Sequence, residues 1–258
     1  MRAAFRLGGV RRNRFERWAH AVSRTGIRLP SPRRTPFTFW YLVVLLISTI
    51  VLRSVGPDTA RRLLEWSSTN VAELSEHPVR VLLFSALWLP GLIWAPYAVV
   101  YTVVLAPLER TVGARWTALV FASGHLLATL LTELPVAILL WLGHLGQQWE
   151  TVLDVGVSYG VATTMGAALG LLLPRWRWPI LAAIEAWTLL VLALHPDMTS
   201  AGHLIALNLG LLWWPLLSRR KVLGSIRPWP FQRAAEPERG PDTRPESRAA
   251  ASVRPAAA

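Results

Sequence analysis

Six long apolar stretches follow one another along the chain, separated by polar or Pro- and Gly-containing connections. The first, Phe37 to Val55, is long enough for a hydrocarbon core of about 30 Å. The polar stretch after it, Gly56 to His77, carries Arg61, Arg62, Glu65, Glu73 and Glu76 around an amphipathic middle at Leu63, Leu64 and Trp66, and is expected at an interface. Residues 79–108 are apolar for too long to form one simple helix, and the breaker pair Pro90-Gly91 divides them. Val79 to Leu89 is read as a short membrane-associated segment and Gly91 to Leu108 as the second span. The third span starts at Trp116 and its apolar sequence runs to Gly143, with Glu133 and Pro135 marking a kink or an early end. Val155 to Leu173, Ile180 to Leu194 and Ser200 to Leu217 give the fourth, fifth and sixth spans, the fifth short enough to borrow Trp176 and Trp178 as interface anchors. The pattern predicts an all-α polytopic membrane protein, a six-transmembrane-helix bundle over residues 37–218.

Charge changes the picture at the two ends. The chain has 258 residues, 53% hydrophobic and 16% charged, with a formal net charge of +12. Residues 1–36 contribute +9, residues 37–218 contribute −2 and residues 219–258 contribute +5. Basicity confined to the tails fits cytoplasmic flanks of membrane spans and argues against nucleic-acid binding, which needs a basic folded surface. The short connections agree: Arg110 and Arg115 lie between spans two and three, and Arg175 and Arg177 between four and five. The loops from His144 to Asp154 and from His195 to Thr199 have no Lys or Arg. Both termini are therefore expected in the cytoplasm, with the protein in the plasma membrane. Residues 1–36 form a basic segment suited to an anionic leaflet; residues 219–258, rich in Pro, Ala and Arg, are expected to be a disordered tail whose Arg219, Arg220 and Lys221 touch anionic lipid. The chain has no Cys, which excludes disulfides, a Cys nucleophile and thiolate metal sites.

Polar side chains in lipid are costly and mark candidate sites. Ser158 and His203 each lie about three residues inside a span entered from the same side, so both sit roughly 5 Å below one boundary. Ser158, Ala162 and Gly166 recur every four residues, with Gly156, Gly160 and Gly170 beside them; His203, Ala206 and Gly210 share a face of the sixth span. Small faces let two backbones approach. A Ser and a His at one depth on such faces have the arrangement in which a His general base activates a hydroxyl, and a Ser at a helix N-terminus has free N–H groups nearby for an oxyanion. Packing alone also accounts for small-residue stripes, and a His near an interface also serves as a cap. His125, Glu133, Glu185 and Asn208 would line a polar path in a small transporter, although no internal repeat supports one. His125 and Glu133 are eight residues apart, which is not ligand spacing, so neither a metal nor a cofactor is expected.

These residues resemble the rhomboid family of intramembrane serine proteases, in its divergent rhomboid-like branch, over about residues 37–217. Gly156-Val157-Ser158 matches the family's Gly-x-Ser at the start of the fourth span, with Gly166 at the family's spacing. His203, Ala206 and Gly210 match its sixth span, Val79-Arg80 its first-loop Trp-Arg without the Trp, and Glu109 with Gly113 its Glu and Gly after the second span. The resemblance implies a rhomboid-like bundle in which Ser158 is the nucleophile and His203 the general base, without an acidic third member, cleaving transmembrane protein substrates. Asp154, one turn before Ser158, is read as solvated or helix-capping. The departures are specific. Ile93 and Tyr97 stand where the family has an oxyanion-binding His and Asn, so that Tyr97 or the Trp94 indole would substitute, with Gly156 in support. Tyr159 replaces a Gly, and Ala162 replaces the ring against which the family's His packs. The alternative implied is an inactive pseudoprotease that binds membrane-protein clients.

Overall fold

A computed structural model describes residues 28–217 of the chain. The expectations for residues 1–27 and 218–258, including the tail and its Arg219, Arg220 and Lys221, lie outside the described residues. The described residues are helical, with no strand among them. In chain order the helices are α1 (Pro36–Ser54), α2 (Pro57–Trp66), α3 (Val71–Glu76), α4 (Pro78–Phe84), α5 (Trp94–Val100), α6 (Ala106–Val112), α7 (Ala114–Trp141), α8 (Ser158–Leu169), α9 (Pro174–Leu194) and α10 (Met198–Leu211).

Four helical segments are long and apolar enough to cross a membrane: Pro36–Ser54, Ala114–Trp141, Pro174–Leu194 and Met198–Leu217. The second and fourth of the six expected spans are not among these four, for separate reasons. Residues 94–112 are helical throughout, but a π-helical turn, Tyr101–Leu105, separates α5 from α6. Pro107 follows that turn; it has no N–H to donate and its ring crowds the carbonyl one turn back, which favours a widened turn. α8 has 12 residues, about 18 Å of rise, too little for a hydrocarbon core. Shortness is tolerated because ten of its residues are buried between α7 and α10 rather than facing lipid.

Two other boundaries move. Helix α9 begins at Pro174 rather than Ile180, so it has 21 residues, including Trp176 and Trp178, and needs no compensation for length. Helix α7 continues through Pro135 to Trp141, so Glu133 and Pro135 do not end it. Pro78–Leu87 forms a short apolar helix within the stretch before the second span. Arg80 holds it to the preceding elements through an ion pair with Glu73 and a guanidinium lying 4.8 Å from the centre of the Trp66 ring.

The core has three parts. Leu42, Leu45, Tyr101, Leu105 and Phe121 join α1 to α5–α6 and α7. Leu108, Val120, Ala167 and Leu171 fill one end of the bundle. Ala128, Tyr159, Ala162 and Ala206 lie where α7, α8 and α10 meet. Contact between α8 and α10 is close because both faces are small. A Cβ on Gly166 would collide with the Leu207 carbonyl, and one on Gly210 would stand 2.8 Å from Gly166 Cα. Thr163 Oγ1 donates to the Ala206 carbonyl across this crossing (2.7 Å), and Trp214 Nε1 donates to the Gly166 carbonyl (2.8 Å). By contrast, Leu181 is the one buried residue of α9. That helix is joined to α10 by a hydrogen bond from Asn208 Nδ2 to Glu185 Oε1 (3.1 Å).

Candidate active site

The backbone entering α8 places Ser158. Gly156 adopts φ 141°, a conformation that L side chains rarely take, and its N–H donates to the Ser85 carbonyl (3.0 Å). Val157 then serves as N-cap without a side-chain hydrogen bond, and Ser158 is the first helical residue. The amides of the first turn have no acceptor within their own helix, so they point toward whatever lies in front of Ser158. His203 comes from the first turns of α10, whose N-terminus is fixed by Asp197: its carboxylate accepts from Ser200 N–H (2.7 Å).

Ser158 and His203 line one cavity of about 440 Å³, partly open to the surface. Tyr97, Trp88, Tyr159, His125, Thr129 and Asp154 are also on its walls. Ser158 and His203 are both half-buried, and no hydrogen bond joins them among the described residues. The His203 ring is instead held by Tyr159, edge to face at 5.4 Å between centroids. Gly202 makes room for that ring, since a Cβ there would strike Tyr159. The aromatic support absent at Ala162 is thus supplied three residues earlier. Ala162 itself packs with Ala128 and Ala206, and Gly160 faces the Phe121 ring of α7 rather than α10.

The supporting residues separate. Tyr97 reaches the cavity. Trp94 does not line it, because its Nε1–H is committed to the Leu42 carbonyl (3.0 Å). Gly156 lines it, but its N–H is engaged by Ser85, so its part is to set the turn rather than to donate to an oxyanion. Ile93 is exposed outside the cavity. Of the polar residues considered for a transport path, His125 faces the cavity, Glu133 faces a separate small groove between α3 and α7, and Glu185 pairs with Asn208 away from both. Among the described residues no cluster of three His, Cys, Asp or Glu is placed to hold a metal.

A family model described as rhomboid-like protein matches residues 32–222. The chain belongs to the rhomboid-like proteins. With its four long apolar helices, this rhomboid-like protein is a multi-pass membrane protein. Neither the curated proteins nor the solved structures contain a match to it.

Asp154 does not cap a helix; its polar groups are used by a segment far away in the chain. Its carbonyl accepts from Thr69 N–H (2.8 Å), its N–H donates to Ser68 Oγ (3.0 Å), and its Oδ2 accepts from Thr69 Oγ1 (2.9 Å). Burial raises its carboxyl above the ordinary value of 3.8, against the opposing effect of the Thr69 hydrogen bond. The available signal was the polar run Ser67-Ser68-Thr69-Asn70, rich in short side chains that bond backbone groups. The cavity lining is pinned at Leu92 as well. Leu92 takes a positive φ of 54°, and Arg53 donates to its carbonyl (2.6 Å).

Proposed function

We propose that this rhomboid-like protein is an intramembrane serine protease that cleaves transmembrane protein substrates, with Ser158 as nucleophile and His203 as general base. The observation that carries this reading is the convergence of Ser158, His203 and Tyr97 on one cavity of about 440 Å³, at the N-terminal turn of a helix. Ser158 Oγ attacks the substrate carbonyl, His203 takes its proton and returns it to the leaving amine, and water completes the hydrolysis. Charge developing on the carbonyl oxygen is met by the first-turn amides of α8 and by the Tyr97 hydroxyl. In this reading residues 94–112 and α8 complete a six-span bundle in the plasma membrane with both termini cytoplasmic.

One observation favours a second reading, a pseudoprotease that holds membrane-protein clients: Ser158 and His203 are not hydrogen-bonded among the described residues. Labelling of the bilayer-embedded protein with a fluorophosphonate separates the two. Covalent labelling that disappears in Ser158→Ala and in His203→Ala is the expected result. No labelling, while an active rhomboid protease labels in parallel, would leave the client-binding reading in place.

A further inference from the structure

One wall of the cavity carries polar groups for which hydrolysis has no use. Asp154, His125 and Thr129 line it. Asp154 is fixed through both backbone groups and through Oδ2 by Ser68 and Thr69, while Oδ1 has no partner among the described residues. Behind it, His125 is 6% exposed; its Nε2 lies 3.1 Å from Ser85 Oγ, and its Nδ1 has no partner. Thr129 is fully buried with its hydroxyl likewise unpartnered. Those two atoms are closed off from the cavity, so the polar group this wall presents to an occupant is the free carboxylate oxygen of Asp154. No Lys or Arg lines the cavity. The wall is acidic, fixed in position and has no cation of its own.

The occupant that completes it is a donor-rich cation. A small apolar side chain would leave Asp154 Oδ1 unpaired, and a carboxylate would meet Asp154 with like charge. A guanidinium or ammonium supplies several N–H donors and an opposite charge, and its hydrogen bonds to a carboxylate are of the stronger kind. Asp154 stands four residues before Ser158 on the same cavity, so a side chain lying against it belongs to a segment whose backbone passes Ser158. We propose that this wall is a subsite for a lysine or arginine side chain of a bound polypeptide, with Asp154 as its specificity-determining residue. The proposal rests on the reading that the cavity receives polypeptide, and it holds for a cleaved substrate or a retained client.

The test uses the full chain in lipid nanodiscs and two fluorescent Leu/Ala-rich decapeptides, identical except for a central arginine or its uncharged isostere citrulline. Equilibrium affinities are measured by anisotropy for the wild type and Asp154→Asn, with thermal unfolding of each as the folding control. The wild type is expected to prefer arginine by about 10- to 100-fold, the span of a charge-assisted hydrogen bond. Asp154→Asn should reduce that preference to within about twofold. Equal affinities in the wild type, or no binding of either peptide, overturn the subsite even where Ser158 labels with fluorophosphonate. A clear arginine preference without any labelling keeps the subsite and overturns proteolysis instead. Should Asp154→Asn fail to fold, the arginine–citrulline comparison in the wild type decides alone.

Discussion

Glu109 shows how much one side chain can hold in this protein. Its two carboxylate oxygens accept from Phe37 N–H (2.8 Å), Thr38 N–H (2.8 Å) and Thr38 Oγ1 (2.6 Å), so it caps α1 from 71 residues away in sequence. Glu109→Ala leaves three buried donors unpaired and is expected to cost about 2–4 kcal/mol, read as a lower thermal midpoint. Asp197 caps α10 locally, and Asp197→Ala should cost about 1 kcal/mol. The Ser200 N–H holds the Asp197 carboxyl below its ordinary value of 3.8. A depressed carboxyl stabilises fully above the unfolded value and loses that contribution as pH falls through the folded one. The difference between wild type and Asp197→Asn, measured by unfolding from about pH 2 to 6, should therefore vanish at the acid end. Tyr97 acts on rate rather than stability: under the proteolytic reading, removing one oxyanion donor in Tyr97→Phe is expected to slow labelling at Ser158 by about 100-fold with the melting point unchanged.

Between elements, the closest approach decides tolerance. Gly210→Ala would drive a methyl into the backbone of α8 at Thr163, Ala167 and Gly166, and overpacking of this kind costs about 1–3 kcal/mol or more. Gly56 has open space around it and φ −62°, so Gly56→Ala is the expected neutral control in the same unfolding assay. The small faces that carry this crossing were legible in the sequence, as was the N-terminal position of Ser158, because both follow from helical spacing alone. The partners of Trp94, Gly156 and Asp154 were not. Each is satisfied by a group far away in the chain: Leu42, Ser85 and Thr69 respectively. Periodicity fixes which face a residue occupies, but not which distant carbonyl or hydroxyl uses its polar atoms. The missed start of α9 has a local cause: Arg175 and Arg177 look like loop charges, yet Arg177 bends back to donate to the Gly170 (2.5 Å) and Leu172 (3.0 Å) carbonyls.

For the whole molecule, the chain's lack of cysteine makes orientation directly measurable. Single substitutions Arg115→Cys, His144→Cys and Arg175→Cys, treated in intact cells with an impermeant maleimide, should react only at position 144 if both termini are cytoplasmic. Membrane character, helix class and tail charge were legible because they depend on composition and run length. The span count was less so, since a hydropathy run cannot reveal that α8 stops after 12 residues or that a π-helical turn divides residues 94–112. The shortness of α8 has an electrical consequence. Under the six-span reading, water entering the cavity would carry the potential of one aqueous face inward as far as Ser158, and most of the transmembrane voltage would fall across the remaining length, about 18 Å of α8. Asp154, on the cavity side of that drop, would feel little of the field, whereas a charged side chain drawn past Ser158 toward the far face would be driven or opposed by it.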